Sequence, residues 1–213
     1  MPKAASRPLA RRSCQTLGPM NHIVQAYARG LSVPLDDLLD SSALLHEDIK
    51  RLFDVFADNW DDQTFRRVLV RASWSYIEVV VFGLKQLLLT ACTLGAEDLS
   101  PKTRRFLSEQ RIEVNSRGEA RVLPVRTETM KNIKLALKLA STRFDVAWRP
   151  AFGNGSWDRL HQSLQLRHRL THPKAAAELR VDDAELDLHR DAFVWFATGF
   201  NEFLLSMQRR YGA

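Results

Sequence analysis

The apolar stretch at residues 68–94 constrains the fold of this 213-residue chain more than any other feature. It carries Arg71, Glu78 and Lys85, so it falls short of the ~18 uncharged apolar residues expected of a membrane-spanning helix. Its apolar residues recur with the helical period, and over residues 79–84 they cover nearly the whole circumference of the helix. The sequence therefore predicts a central helix that is buried on most of its sides.

Nearly all the other strong patterns in the chain also have the helical period. The central helix is predicted to begin at the capping pair Asp61-Asp62 and to end at Gly95, which suits a helix C-cap. The other predicted helices cover residues 41–60, 102–111, 127–148, 157–172 and 182–211. Residues 112–122 alternate around a turn-rich centre, which predicts a β-hairpin. The predicted fold is all-α, a bundle of about five helices with a small inserted β-hairpin.

The cysteine content predicts a reducing compartment. Two cysteines in 213 residues are too few for a disulfide framework. Cys14 lies in a polar stretch and Cys92 in an apolar one, so we expect both to be reduced thiols. With no membrane span and no secretory leader predicted, the expected location is cytoplasmic.

Charge is distributed unevenly along the chain, whose formal net charge is +6. Residues 1–12 hold four bases and no acid, residues 35–65 sum to −7, and residues 102–143 sum to +7. We predict that residues 1–34 form a flexible basic tail and that residues 35–213 form a single domain. A basic region can attract a polyanion such as RNA. In the alternative interpretation, the two oppositely charged regions attract each other or a second subunit.

The segment at residues 164–174 carries the most information about function. It places Arg167 next to His168, puts His172 four residues beyond His168, and then stops the predicted helix with Pro173. His168 and His172 share one helix face because residues four apart are neighbours there. Histidine can move protons near neutral pH, and arginine presents a planar fork that suits phosphate. Metal-independent RNA cleavage needs both kinds of group.

This run resembles the Arg-polar-x(3–4)-His signature of the HEPN superfamily (higher eukaryotes and prokaryotes nucleotide-binding). The resemblance implies an α-helical domain that acts as a metal-independent endoribonuclease in a toxin–antitoxin or antiviral defence system. Its products would be a 2′,3′-cyclic phosphate and a 5′-hydroxyl. It also implies a homodimer with a composite active site, RNA as substrate, an antitoxin or defence-system partner protein, and no cofactor.

The resemblance also implies a role for each residue of the motif. Arg167 would stabilise the phosphate, His172 would be the general base or acid, and His168 would fill the polar second position. Glu78, an acid on the predicted buried helix, would orient Arg167 or a histidine, or else form a structural ion pair with Arg71 or another base. The residues expected to contact the RNA backbone are Lys131, Lys134, Lys138 and Lys174.

Plainer interpretations stay open at this point. Arg167 and His172 could simply be cations that favour a helix C-terminus, and Lys131, Lys134 and Lys138 could lie on a solvated face. His161, His168 and His172 are spaced so that they could suggest zinc, but no cysteine or carboxylate joins them locally. The competing functions are a non-catalytic HEPN-like module that binds RNA, a nucleotide or a partner, and a purely structural bundle.

Overall fold

The computed structural model describes residues 19–95, 99–146 and 148–211, and it confirms the predicted all-α fold with an inserted hairpin. These ranges contain six α-helices, one hairpin and a short 3-10 helix. In chain order they are α1 (Pro19–Phe56), α2 (Gln63–Leu94), α3 (Pro101–Ser108), β1 (Gln110–Val114), β2 (Ala120–Pro124), α4 (Thr129–Arg143), α5 (Gly155–Thr171), the 3-10 helix (Ala176–Leu179) and α6 (Asp183–Tyr211).

The first helix is longer than the sequence predicted. α1 begins at Pro19 and continues through Pro34, past the boundary that the sequence placed at residue 34, and residues 1–18 of the predicted tail lie outside the described ranges. Leu31 and Leu38 are buried, and the close approach of α1 to α2 leaves no room for a side chain at Gly83, where a Cβ would lie 2.5 Å from Leu38. This packing outweighs the backbone hydrogen bond that an internal proline removes.

The second helix is the predicted central helix. Asp62 caps its first turn by accepting hydrogen bonds from the N–H groups of Thr64 (2.6 Å) and Phe65 (3.0 Å). Gly95 ends it, as predicted. By length and composition α2 could also cross a membrane, but half of its most apolar window is buried inside the bundle. It packs against α1, α3, α4, α5 and α6, which accounts for its apolar sequence.

A buried polar chain ties α2 to the last two helices. The indole Nε1–H of Trp74 donates to Ser163 Oγ (3.0 Å), and Ser163 Oγ lies 2.7 Å from His189 Nδ1. All three residues are buried. Burial lowers the pKa of His189 to about 4, so the neutral ring is the form that the core accepts. The aromatic residues Phe193, Phe196, Phe200 and Phe203 of α6 lie in the core.

The hairpin stands on the end of α3. Its antiparallel register pairs Ile112 with Val122, and its tight turn has Gly118 at φ +77°. The junction below it is fixed by Lys85 of α2, whose fully buried Nζ lies 2.7 Å from Glu109 Oε1. Burial lowers the pKa of Lys85, and the Glu109 carboxylate opposes that shift. This ion pair, whose lysine is buried and whose carboxylate is partly exposed, therefore positions the start of β1.

Candidate active site

The carboxyl end of α5 presents the histidines of the motif. Asn154 caps the start of this helix, because its side chain accepts a hydrogen bond from the N–H of Trp157 (3.2 Å). At the other end, the N–H of His172 still donates to the carbonyl of His168 (2.9 Å). His172 itself leaves the helical region at φ −129° and ψ 58°, because the residue before a proline avoids it.

Two arginines fasten this end of α5. Nη2 of Arg71, on α2, donates to the carbonyl of Leu170 (2.6 Å), one of the carbonyls that a helix end leaves without an internal partner. Nη2 of Arg169 lies 2.6 Å from Glu185 Oε1, and its Nη1 donates to the carbonyl of Arg180 (3.1 Å). Arg169 thereby ties the segment that follows the 3-10 helix, and the first turn of α6, to α5. The motif histidines project from a braced helix end.

Arg167 is held by Glu78. Nη2 of Arg167 lies 3.0 Å from Glu78 Oε1, which joins α5 to α2. The expectation that Glu78 would be buried is wrong: 48% of its side chain is exposed, because it lies on the open face of α2. The base that pairs with Glu78 is Arg167, whereas Arg71 donates to the carbonyl of Leu170. One oxygen of a carboxylate orients the guanidinium and leaves other N–H groups of its fork available to an anion.

His168 and His172 are exposed beside this pair. Although much of the His168 ring is open to solvent, its partial burial lowers the pKa of His168, and the charges of Arg167 and His172 lower it further. The charge of Glu78 raises the pKa of His168. These electrostatic influences show that Glu78, Arg167, His168 and His172 form one surface cluster, which we call the Arg167 cluster. At neutral pH it favours an uncharged His168 ring that can accept a proton.

The lysines predicted to bind RNA are exposed, but none of the described contacts joins them to the Arg167 cluster. Nζ of Lys131 lies 2.6 Å from Glu128 Oε2, and this hydrogen bond raises the pKa of Lys131. Nζ of Lys134 lies 5.4 Å from the centre of the Phe152 ring. Lys138 is on the same exposed face of α4, and Lys174 follows the motif, with its backbone N–H bonded to Glu178.

The sequence indicated the reactive groups of the cluster but not the residues that brace it. Arg71, Arg169 and Glu185 were not predicted to support the site, and their partners lie 99, 11 and 16 residues away along the chain. The position of Arg71, two helical turns before Glu78 on α2, was the available signal. It indicates a shared face but not the element that the face contacts.

No group of three or more histidine, cysteine or acidic side chains within the described ranges is arranged to hold a metal ion. No protein-family model, curated protein or solved structure matches this chain. The resemblance to the HEPN superfamily therefore stands on the motif at residues 167–173 and on the order of the helices.

Proposed function

We propose that the protein is a metal-independent endoribonuclease whose reaction takes place at the Arg167 cluster. The observation that carries the proposal is the grouping of an anchored guanidinium and two exposed imidazoles at one braced helix end. A ribose 2′-hydroxyl that attacks the adjacent phosphorus requires these groups.

In the proposed reaction, Arg167 binds the phosphate oxygens and stabilises the charge that builds up on them. His168, whose lowered pKa favours the neutral ring, is suited to accept the proton of the 2′-hydroxyl. His172 in its protonated form donates to the departing 5′-oxygen. The phosphorus–O5′ bond breaks as the O2′–phosphorus bond forms, which leaves a 2′,3′-cyclic phosphate and a 5′-hydroxyl. Glu78 does not touch the substrate and acts by positioning Arg167.

The biological setting is proposed from the resemblance alone: a cytoplasmic toxin or defence effector that is regulated by a partner protein and paired as a homodimer. The alternative function, a non-catalytic module, would use the same cluster to bind RNA or a nucleotide without cleaving it. One experiment separates the two functions.

The experiment incubates the purified protein with total RNA and transfer RNA in excess EDTA. The His172→Ala variant tests the cluster. The matched control is His161→Ala, which removes another exposed histidine from the same helix, outside the cluster. We expect the parent and His161→Ala to cleave RNA to cyclic-phosphate ends, and His172→Ala to lose cleavage by at least ~100-fold, as general acid–base groups typically contribute. Equal cleavage by all three proteins, or RNA binding without cleavage by any of them, would contradict the proposal.

A further inference from the structure

A groove between α3 and the hairpin has an unusual lining. It has a volume of about 530 Å³ and presents Arg104, Arg105 and Arg111 together with the aliphatic side chains of Ile112 and Val122. None of the described residues that line it is acidic or aromatic. Arg104 and Arg105 are exposed and have no carboxylate partner among the described residues, whereas Arg111 lies 3.7 Å from Glu113. We call this surface the arginine groove.

The apolar part of the arginine groove is open to solvent. Ile112 is 73% exposed, its cross-strand partner Val122 is 62% exposed, and Val114 on the same hairpin face is 64% exposed. Exposed aliphatic side chains rimmed by charge are typical of protein–protein contacts. Single-stranded RNA is usually held by aromatic rings that stack on its bases, and no aromatic ring is found among the described residues of this groove. The lining therefore fits an acidic protein surface with an aliphatic centre.

The outer face of α1 is an acidic surface with aliphatic side chains along its centre. Val33, Leu44 and Val55 are 67%, 70% and 74% exposed, and their spacing of eleven residues, close to three helical turns, puts them on one line along the helix. Four exposed acids flank Leu44 on this face: Asp37, Asp40, Glu47 and Asp48. We call the face formed by these four acids and Leu44 the acidic ridge.

We propose that the arginine groove docks the acidic ridge of a second copy of this chain. Leu44 would cover Ile112 and Val122, while the flanking acids meet Arg104 and Arg105. The acidic and basic regions of the sequence, at −7 and +7, supply the complementary charge. A two-fold axis satisfies both contacts at once, since each copy offers one ridge and one groove. The inference goes beyond the proposed function and does not depend on RNA cleavage.

This contact differs from the dimer that the HEPN resemblance implies. That dimer brings together two copies of the Arg167 cluster, which is anchored to α2 at Glu78. The arginine groove meets α2 at Leu89, eleven residues further along, or ~16 Å at the rise of an α-helix. Substitutions in the groove and ridge therefore test one surface without touching the other.

Charge exchange provides the test, with mass measured by light scattering and affinity by sedimentation. The unmodified chain should form a dimer of twice 24.4 kDa that weakens as salt is raised. Arg104→Glu/Arg105→Glu and Asp40→Lys/Asp48→Lys should each weaken self-association at least ~10-fold, because like charges then face each other. An equimolar mixture of the two variants should form a dimer again, because both contacts regain opposite charges.

Matched variants control for net charge. The control variants are Arg159→Glu/Arg190→Glu and Asp187→Lys/Asp191→Lys, which replace exposed residues of α5 and α6. They change the net charge by the same amounts as the test variants and should leave the dimer intact. Leu44→Ser should weaken the dimer and Val194→Ser, at an exposed site on α6, should not. Circular dichroism would verify that each variant is helical.

Three results would overturn the inference. The first is a chain that stays monomeric at every concentration, and the second is a dimer that neither charge exchange weakens. The third is a pair of folded, monomeric variants that do not associate when mixed.

Discussion

Arg71 and Glu78 stand seven residues apart on α2, and each contacts the last two turns of α5. Arg71 donates to the carbonyl of Leu170 at 2.6 Å, while Glu78 accepts from Arg167 at 3.0 Å. One residue fixes the backbone that carries the motif, and the other fixes the side chain of its arginine. The central helix is therefore both the core of the fold and the support of the candidate site.

Glu78 should affect cleavage more than folding. Glu78→Ala leaves Arg167 without its partner, and we expect RNA cleavage to fall ~10-fold, mainly in kcat, because a guanidinium that has lost its orientation binds the developing charge less well. Because the ion pair is exposed to solvent, the free energy of unfolding should change by less than ~1 kcal/mol. Initial rates over a range of RNA concentrations, together with urea denaturation, give both values. Glu78→Gln, which keeps an oxygen acceptor, should recover part of kcat. An equal fall for both variants would contradict a positioning role.

Arg71 should stabilise the end of α5. Arg71→Ala leaves the Leu170 carbonyl without this donor, and since the arginine is exposed we expect a loss of about 1 kcal/mol in the free energy of unfolding. The amide of His172 should exchange with deuterium faster, because the last turn frays. Arg67→Ala is the control, since its contacts with Leu179 and Thr64 are longer, at 3.4 and 3.3 Å. Unchanged exchange at His172 would show that Arg71 does not brace the motif.

Local patterns in the sequence were enough to predict α2, its Asp62 cap and the hairpin, because capping and strand alternation depend on residues that are close along the chain. They were insufficient for α1, where Pro34 resembles a boundary and only packing against Gly83 shows that the helix continues. α4 ends at Arg143, before the predicted residue 148. The motif on α5 was visible, but the partner of Arg167 lies 89 residues away. A contact of that range depends on how the helices pack.

The buried His189 should make the fold sensitive to acid. Its pKa is about 4 in the folded chain, against an ordinary value of 6.5 for histidine, so between these pH values the unfolded state binds more protons. The contribution of His189 to the free energy of unfolding is therefore fully present above about pH 6.5. It decreases as the pH falls towards 4, by up to about 3 kcal/mol. Urea denaturation at pH 7 and pH 5 measures the change. His189→Gln should be less stable at pH 7 and should flatten the pH dependence. The same slope in the variant would assign it to other groups.

The charge of Arg167 should control the titration of His168. Burial, Arg167 and His172 all lower the pKa of His168, whereas Glu78 raises it. Replacing Arg167 by glutamine removes one of the influences that lower this pKa and keeps the one that raises it. We expect the pKa of His168 to rise in Arg167→Gln, as followed by the chemical shifts of its ring protons during a pH titration. Arg180→Gln, which removes an exposed arginine elsewhere on this surface, should leave it unchanged. The measurement needs no RNA, so it tests the cluster separately from the reaction. An unchanged His168 titration in Arg167→Gln would mean that the two side chains are too far apart in solution to act on one phosphate.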